Sequence, residues 1–154
     1  MDKSKVTGAG IIVYFDNSEG AVKGLEEDIL YLILIDNSSD YDFPKGGIDK
    51  GESIFNCATR ETQEEISLSK NDFQSFNTEI DEEGFVCGEK LVLFLGKLKK
   101  DSLANTSIGI NPYTNEREHS GYVWLTYEKL KKENRLKSYL IPGIDWANKT
   151  IKQK

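Results

Sequence analysis

Runs of apolar residues predict most of the strands of this chain. Val6–Phe15 predicts a first strand. The run Ile29–Ile35 is almost continuously apolar, which is typical of a strand buried on both faces in the middle of a sheet. The pattern predicts further strands at Phe73–Ile80 and Phe85–Leu98, joined through 81–84 as a hairpin, and at Tyr122–Leu125. Within Phe85–Leu98, one face should carry Val86, Val92 and Phe94, and the other Leu91, Leu93 and Leu95.

Helical spacing predicts a helix over 53–66, which Ser53 can cap and no Pro or Gly interrupts. Its core face holds Phe55, Ala58, Thr62 and Ile66, and a neighbouring arc holds Glu61, Glu64 and Glu65. Two later helices are expected, Tyr127–Asn134 opened by Thr126 and Ile144–Ile151 after the Pro142-Gly143 break.

This order of elements predicts an α+β domain with helices packed on both sides of a mixed sheet. Its length of 154 residues suits a single domain spanning residues 1–154. The segment Lys99–Thr114 is polar and is predicted to be an irregular loop, which makes it a candidate substrate lid.

Composition narrows the class of protein. With 38% hydrophobic and 30% charged residues, no long apolar run and no leader, the chain predicts a cytoplasmic protein without a membrane span. Its net charge of −6 counts against nonspecific binding to long nucleic acid, although a polyphosphate can still bind through metal. Cys57 and Cys87 lack metal-ligand spacing and are read as structural.

The acidic arc of the first helix follows a glycine-rich turn, Pro44–Gly51. Glu61 stands three and four residues before Glu64 and Glu65, where like charges repel by roughly 0.2–0.5 kcal/mol per pair. Such a triplet is usually a solvated helix face. Here the adjoining turn lets backbone carbonyls and N–H groups approach a ligand, which favours a Mg²⁺ site that also binds phosphate.

These residues resemble the Nudix signature, G-x5-E-x7-R-E-U-x-E-E-x-G-U, in which U is a bulky apolar residue. Its fixed positions match at Gly46, Glu52, Arg60, Glu61, Glu64 and Glu65. Two positions depart from it, since Thr62 stands at an apolar position and Ser67 replaces the last glycine. Ser67 should cost about 1 kcal/mol relative to Gly if the helix ends there at positive φ. Neither departure removes a metal ligand.

The resemblance implies a Nudix-like α/β/α sandwich and hydrolysis of a diphosphate linked to another moiety. It also implies Mg²⁺, with Mn²⁺ as an alternative, held by Glu61, Glu64, Glu65 and the backbone carbonyl of Lys45. Gly46, Glu52 and Arg60 would support the site by holding the turn against the helix.

A second stretch, Glu118 to Trp124, resembles the Glu-His-x-x-x-x-Trp stretch of the asymmetric diadenosine tetraphosphate hydrolases. Bacterial RNA 5′-pyrophosphohydrolases have a similarly spaced Glu and Trp. In both groups this glutamate binds metal or accepts a proton from the attacking water, a role we assign to Glu118. If Glu118 does not have this role, Glu116 is the first alternative candidate and Glu89 a more distant one. His119 follows Glu118, but adjacency alone does not place it at the metal, and a structural or substrate-contacting role is favoured.

Substrate contacts are expected near the turn and the opposite loop. Rings that could stack on a base are Phe43, Tyr41 and Tyr113. Lys45, Lys90 and Arg117 could bind phosphate groups.

The favoured function is Mg²⁺-dependent hydrolysis of a dinucleoside polyphosphate such as diadenosine tetraphosphate. Three alternatives stay open: an RNA 5′-end pyrophosphohydrolase or decapping enzyme, a diphosphoinositol polyphosphate hydrolase, and a non-catalytic nucleotide-binding module of the same fold. The expected partner is a small nucleotide or polyphosphate, with an RNA 5′ end as the alternative. No protein or membrane partner is inferred.

Overall fold

The computed structural model describes residues 5–24, 28–77, 84–110 and 114–152. The strands are β1 (Gly8–Asp16), β2 (Ile29–Asp36), β3 (Tyr41–Asp42), β4 (Lys45–Gly47), β5 (Phe73–Phe76), β6 (Phe85–Cys87), β7 (Leu91–Leu98) and β8 (His119–Leu125). The α-helices are α1 (Ile54–Ile66), α2 (Tyr127–Glu133) and α3 (Ile141–Lys152).

Within the described residues, the eight strands form one mixed sheet whose main path is β3-β2-β1-β7-β5. Strand β1 lies at its centre, parallel to β7 and antiparallel to β2. The short strand β4 pairs with the beginning of β1, with Lys45 opposite Gly10, and β8 pairs with β2. The expected mixed sheet is therefore confirmed, and β4 and β8 are the strands that bring the turn and the Glu118 region onto it.

The sheet has a hydrophobic layer on each face. Helix α1 packs on one layer, where Ala58 and Ile66 join Ile11 and Phe94. Helices α2 and α3 pack on the other, where Leu130 and Ile144 join Ile12 and Leu93. The alternation predicted for β7 is confirmed, because Val92 and Phe94 lie in the first layer and Leu93 and Leu95 in the second. The fold is an α/β/α sandwich of the α+β class.

Local sequence signals explain where α1 begins and ends. The Ser53 hydroxyl accepts a hydrogen bond from the Asn56 amide at 3.1 Å and so caps the first turn. Thr62 donates its hydroxyl hydrogen to the Ala58 carbonyl at 2.8 Å, which lets a polar side chain lie on the buried face. Ser67 ends the helix with φ at 68°, the left-handed conformation that glycine would adopt at lower cost.

Several predicted boundaries are wrong. Strand β8 begins at His119 and not at Tyr122, because it pairs with β2 as far as Asp36, and β5 ends at Phe76 and not at Ile80. The single strand predicted over Phe85–Leu98 is two strands, β6 and β7, because a turn at 88–90 with Gly88 at φ 71° reverses the chain. The final helix begins at Ile141, before Pro142. Proline is tolerated there because the backbone nitrogens of the first helical turn have no intrahelical acceptor, so the N–H that proline lacks is not needed. Among the described residues, no helix is long and apolar enough to cross a membrane.

The sequence predicted an irregular loop over Lys99–Thr114, but part of this segment is regular. A 3₁₀ helix spans Lys100–Asn105. After it, the Ser107 amide donates to the Ile66 carbonyl and the Gly109 amide to the Glu65 carbonyl, both at 3.0 Å. These bonds satisfy carbonyls that the end of α1 leaves unpaired. Residues 107–109 therefore pack on the last turn of α1, and the role of the segment as a substrate lid stays a prediction.

This packing predicts that Gly109→Ala destabilises the fold. A Cβ at residue 109 would lie 1.6 Å from the Glu64 carbonyl oxygen, so the segment must move away from the helix. We expect a loss of about 1–3 kcal/mol in the free energy of unfolding, measured by urea denaturation. The control is Gly121→Ala, where a Cβ meets nothing within 4 Å, and it should change stability by less than about 0.5 kcal/mol. Equal midpoints for the two variants would contradict this account of the segment.

Candidate active site

Arg60 joins the glycine-rich turn to α1. Its guanidinium donates to the Gly47 carbonyl at 2.8 Å and to Glu52 at 2.8 Å, on the side of the turn. On the side of the helix it donates to Glu61 at 2.9 Å and to Glu64 at 3.2 Å. One planar cation thus fixes the side chains of three carboxylates and a backbone carbonyl. The neighbouring acidic groups raise the pKa of Arg60 further, so the guanidinium is charged at every pH at which the protein is folded.

Gly46 allows the Glu61 carboxylate to lie against the turn. A Cβ at residue 46 would be only 2.1 Å from Glu61 Cδ and 2.2 Å from its Oε2. Any side chain at residue 46 would therefore force the carboxylate out of its position. The absence of a side chain at Gly46 thus matters for the placement of an acid as well as for the path of the backbone.

Glu65 is the most buried acid of the helix, with 9% of its surface exposed. Its Oε1 accepts the backbone N–H of Lys45 at 2.7 Å, which links α1 to β4. Its Oε2 lies 3.5 Å from Nδ1 of His119, at the beginning of β8. Glu65 is therefore in contact with both segments that flank the helix in the site.

Glu118 is exposed and immediately precedes β8. Ligand atoms of Glu65, Glu118 and His119 lie within 4.8 Å of one another. Glu118 is thus brought to the acidic helix, and neither alternative candidate is a member of this group. The predicted roles of Glu118 as metal ligand or proton acceptor stay predictions.

Burial and neighbouring acids raise the pKa of Glu61 and of Glu65. Burial raises the pKa of Glu65 to about 9, with the charges of Glu61 and Glu118 acting in the same direction against the hydrogen bond from Lys45. Burial also raises the pKa of Glu61, helped by Glu64 and Glu118 and opposed by Arg60. Such groups resist being ionised together unless a cation is added.

Asp42 is a buried acid with the opposite environment, and sequence reasoning missed it. Its carboxylate lies 3.2 Å from Nζ of Lys45, 3.1 Å from Nζ of Lys137 and 3.3 Å from Nε2 of His119. Burial acts to raise the pKa of Asp42, but the hydrogen bond with His119 and the two lysines outweigh it and lower that pKa to about 2. Lys137 also pairs with Asp36 at 3.1 Å. Asp42, His119 and Glu65 therefore form one continuous polar chain.

A cavity of about 330 Å³ opens beside these groups. Acids and lysines both line it, namely Asp36, Asp42, Lys45, Glu65, Glu118 and Lys137, together with Asn37, Ser38 and His119. Tyr139, which is 49% exposed, presents its ring 5.7 Å from the Lys45 ammonium. The cavity is polar enough for a phosphate chain.

Several residues predicted to bind substrate are placed elsewhere. Phe43 is fully buried and Tyr41 is 4% exposed, because both pack in the core under α2 and α3, so neither presents an exposed ring to a base. Tyr113 lies outside the described residues. Lys90 and Arg117 are exposed, and the structure shows their backbone carbonyls as acceptors, from the Thr7 and Gly8 amides and from the Asn37 side chain respectively. Phosphate binding by these two side chains stays a prediction.

The missed residues carry weak sequence signals. Asp42 stands between two aromatic residues just before the turn, and three residues before Lys45, a spacing that allows an ion pair. Lys137 is 95 residues away from Asp42, and nothing near it in the sequence indicates that contact. The pairing of β2 with β3 and β8 brings Asp42 to His119, and a parallel bridge between Tyr41 and Leu136 brings Lys137 to Asp42.

The carboxylates fit a divalent metal. Glu61 and Glu65 are partly or largely withdrawn from water, and Glu118, an acid from another element, raises the pKa of both. Hard oxygen donors that repel one another are suited to Mg²⁺, which neutralises them and retains several waters. The residues that would hold it are Glu61, Glu64, Glu65 and Glu118, with the Lys45 carbonyl as a further candidate.

Solved structures show the same fold at low sequence identity. An Ap4A hydrolase from C. elegans matches with a TM-score of 0.59 and 24% identity, covering 80% of this chain and 83% of that one. A Nudix hydrolase from M. smegmatis matches with a TM-score of 0.66 and 11% identity, covering 97% and 87%. The NUDIX domain of NrtR from Shewanella oneidensis, solved with ADP ribose, has a TM-score of 0.55 and 11% identity, covering 85% and 79%.

Comparison with curated proteins found no match. A family model, described as the NUDIX domain, matches residues 7–146, which is most of the chain. That span contains the turn, α1 and Glu118. The chain therefore belongs to the Nudix family, and it carries all the signature carboxylates.

Proposed function

We propose that this protein hydrolyses a dinucleoside polyphosphate, such as diadenosine tetraphosphate, at one of its diphosphate linkages. The observation that carries the proposal is the proximity of Glu118, just before β8, to Glu65 of α1, since a carboxylate oxygen of each lies within 4.8 Å of the other. The Glu118–Trp124 stretch resembles the corresponding stretch of asymmetric diadenosine tetraphosphate hydrolases. The fold shared with the C. elegans Ap4A hydrolase is consistent with that substrate class.

The residues of the site divide into metal ligands and residues that position them. Glu61, Glu64 and Glu65 would hold Mg²⁺ together with Glu118. Arg60 keeps Glu61 and Glu64 in place through its hydrogen bonds, and Gly46 leaves room for Glu61 beside the turn. When bound, the metal supplies charge neutralisation at the phosphate oxygens and a lowered pKa for the attacking water.

The reaction would be an in-line attack of water on one phosphorus of a P–O–P bridge. The P–O bond on the far side breaks, and the bridging oxygen leaves with the other phosphate. Glu118 would accept the proton of the attacking water, because it is the exposed acid next to the helix acids. The products are one mononucleotide and one longer nucleotide.

The cavity supports a nucleotide-type substrate. Lys45 and Lys137 line it and supply positive charge next to the acids, as a polyphosphate requires. Tyr139 offers an exposed ring beside Lys45, where a base could stack in place of the buried Phe43 and Tyr41. A cytoplasmic location and a single functional domain are part of the same proposal.

The substrate class is tested by hydrolysis of a panel with Mg²⁺ and with chelator. The panel contains diadenosine tetraphosphate, 5′-triphosphorylated RNA, capped RNA, nucleoside triphosphates and a diphosphoinositol phosphate. We expect the highest kcat/KM for the dinucleotide and loss of activity with chelator. Preference for RNA ends would instead support the RNA 5′-pyrophosphohydrolases, whose Glu and Trp spacing the Glu118–Trp124 stretch also resembles. If none of the compounds in the panel is hydrolysed, a non-catalytic nucleotide-binding module would be favoured.

We predict that Gly46→Ala abolishes most activity without unfolding the protein. The new methyl group displaces the Glu61 carboxylate, which lies at the end of a flexible side chain, so the cost to stability is small. A misplaced catalytic group can lower kcat by roughly 100-fold, which we expect here. Gly47→Ala is the matched control, because a Cβ there lies 3.9 Å from its nearest neighbour, the Thr7 carbonyl oxygen. Similar kcat values for the two variants would contradict the role of Gly46.

We predict that Glu118→Gln lowers kcat by roughly 10²–10⁴-fold, the range for loss of a general base. The side chain is exposed, so the thermal midpoint should not change. Glu116→Gln, in the same exposed loop, is the control and should keep wild-type kcat. If Glu116→Gln loses activity and Glu118→Gln does not, the assignment of the base is off by two residues.

A further inference from the structure

His119 lies between two carboxylates and is almost completely buried, with 5% of its surface exposed. Its Nε2 is 3.3 Å from Asp42 Oδ2, and its Nδ1 is 3.5 Å from Glu65 Oε2. The two ring nitrogens therefore face two different acids, one paired with lysines and one in the active site.

The environment of Asp42 decides which nitrogen of a neutral His119 carries hydrogen. Asp42 is an ionised carboxylate, because the ammonium groups of Lys45 and Lys137 lie 3.2 and 3.1 Å from its oxygens. An ionised carboxylate can only accept a hydrogen bond. The hydrogen is therefore on Nε2, and the lone pair is on Nδ1, directed toward Glu65.

A lone pair facing a carboxyl oxygen is satisfied by a proton on that oxygen or by a metal ion bound to both atoms. Ligand atoms of Glu65, Glu118 and His119 all lie within 4.8 Å of one another. Metal–ligand bonds of 2.0–2.2 Å place neighbouring ligand atoms roughly 3.0–3.5 Å apart, close to the separation of Nδ1 and Glu65. A histidine whose other nitrogen donates to a carboxylate is the common arrangement of a metal-binding histidine.

We propose that Nδ1 of His119, with Glu65 and Glu118, forms a mixed nitrogen and oxygen metal site that prefers a divalent transition metal such as Mn²⁺ or Co²⁺ to Mg²⁺. Imidazole is a good ligand for transition metals, whereas Mg²⁺ takes oxygen. Asp42 is the positioning residue that fixes the tautomer and the orientation of the ring. The inference rests on the proposed function only in sharing Glu65 and Glu118 with it.

The decisive experiment is pulsed EPR on the full chain, freed of metal and loaded with substoichiometric Mn²⁺. We expect coupling between the Mn²⁺ electron spin and a ¹⁴N nucleus in the wild-type protein. The coupling should disappear in His119→Gln and persist in Glu116→Gln, which removes an exposed acid that is not a member of this group. The wild-type spectrum alone is decisive if a variant does not fold.

Calorimetric titration with Co²⁺ and with Mg²⁺ measures the preference. His119→Gln and Asp42→Asn should weaken Co²⁺ binding by roughly 10–100-fold and change Mg²⁺ binding by less than about threefold. A merely structural role would weaken both metals equally, which would overturn the proposal.

Failure of this inference can be told apart from failure of the proposed function. Mn²⁺ bound without ¹⁴N coupling, in a protein that still hydrolyses the dinucleotide with Mg²⁺, would overturn the histidine ligand and leave the function standing. A protein that bound no divalent cation and hydrolysed no dinucleotide would overturn both the inference and the proposed function.

Discussion

Repulsion among acids that are held close together and partly buried is the constraint on which this structure depends. Glu61, Glu65 and Glu118 come from two different segments, and the charge of Glu118 raises the pKa of both helix acids. The fold must hold them there, since burial and like charge both oppose their ionised forms. A site of this kind stores unfavourable electrostatic energy that binding of a cation releases, which is why the acids point to metal chemistry and not to a solvated helix face.

The surrounding structure holds the acids with a small number of directional contacts. Arg60 holds Glu61 and Glu64 and ties both to the turn, while the Lys45 amide holds Glu65. The glycine-rich turn is itself fixed to the centre of the sheet, because β4 pairs with β1. The last turn of α1 is fixed by the segment after the 3₁₀ helix, through Gly109. The acids are thus positioned by rigid elements on every side, which a precise metal site requires.

The sequence was sufficient to predict the local features of the site and insufficient for its long-range ones. The cap at Ser53, the Thr62 hydroxyl and the left-handed Ser67 follow from rules that act within one or two helical turns. The signature spacing located the helix acids because they lie on one helix. Asp42 and Lys137 were missed because ion pairs across 95 residues depend on tertiary packing. Phe43 was misplaced for the same reason, since its burial depends on α2 and α3, which come much later in the chain.

His119 joins two networks of opposite character. On one side, Asp42 is compensated by Lys45 and Lys137, so that part of the site carries no unbalanced charge. On the other side, Glu65 and Glu118 have an excess of negative charge. The hydrogen bond with His119 adds to the two lysines in keeping Asp42 ionised. The same contact fixes the ring, so that its other nitrogen is held 3.5 Å from Glu65 on the acidic side.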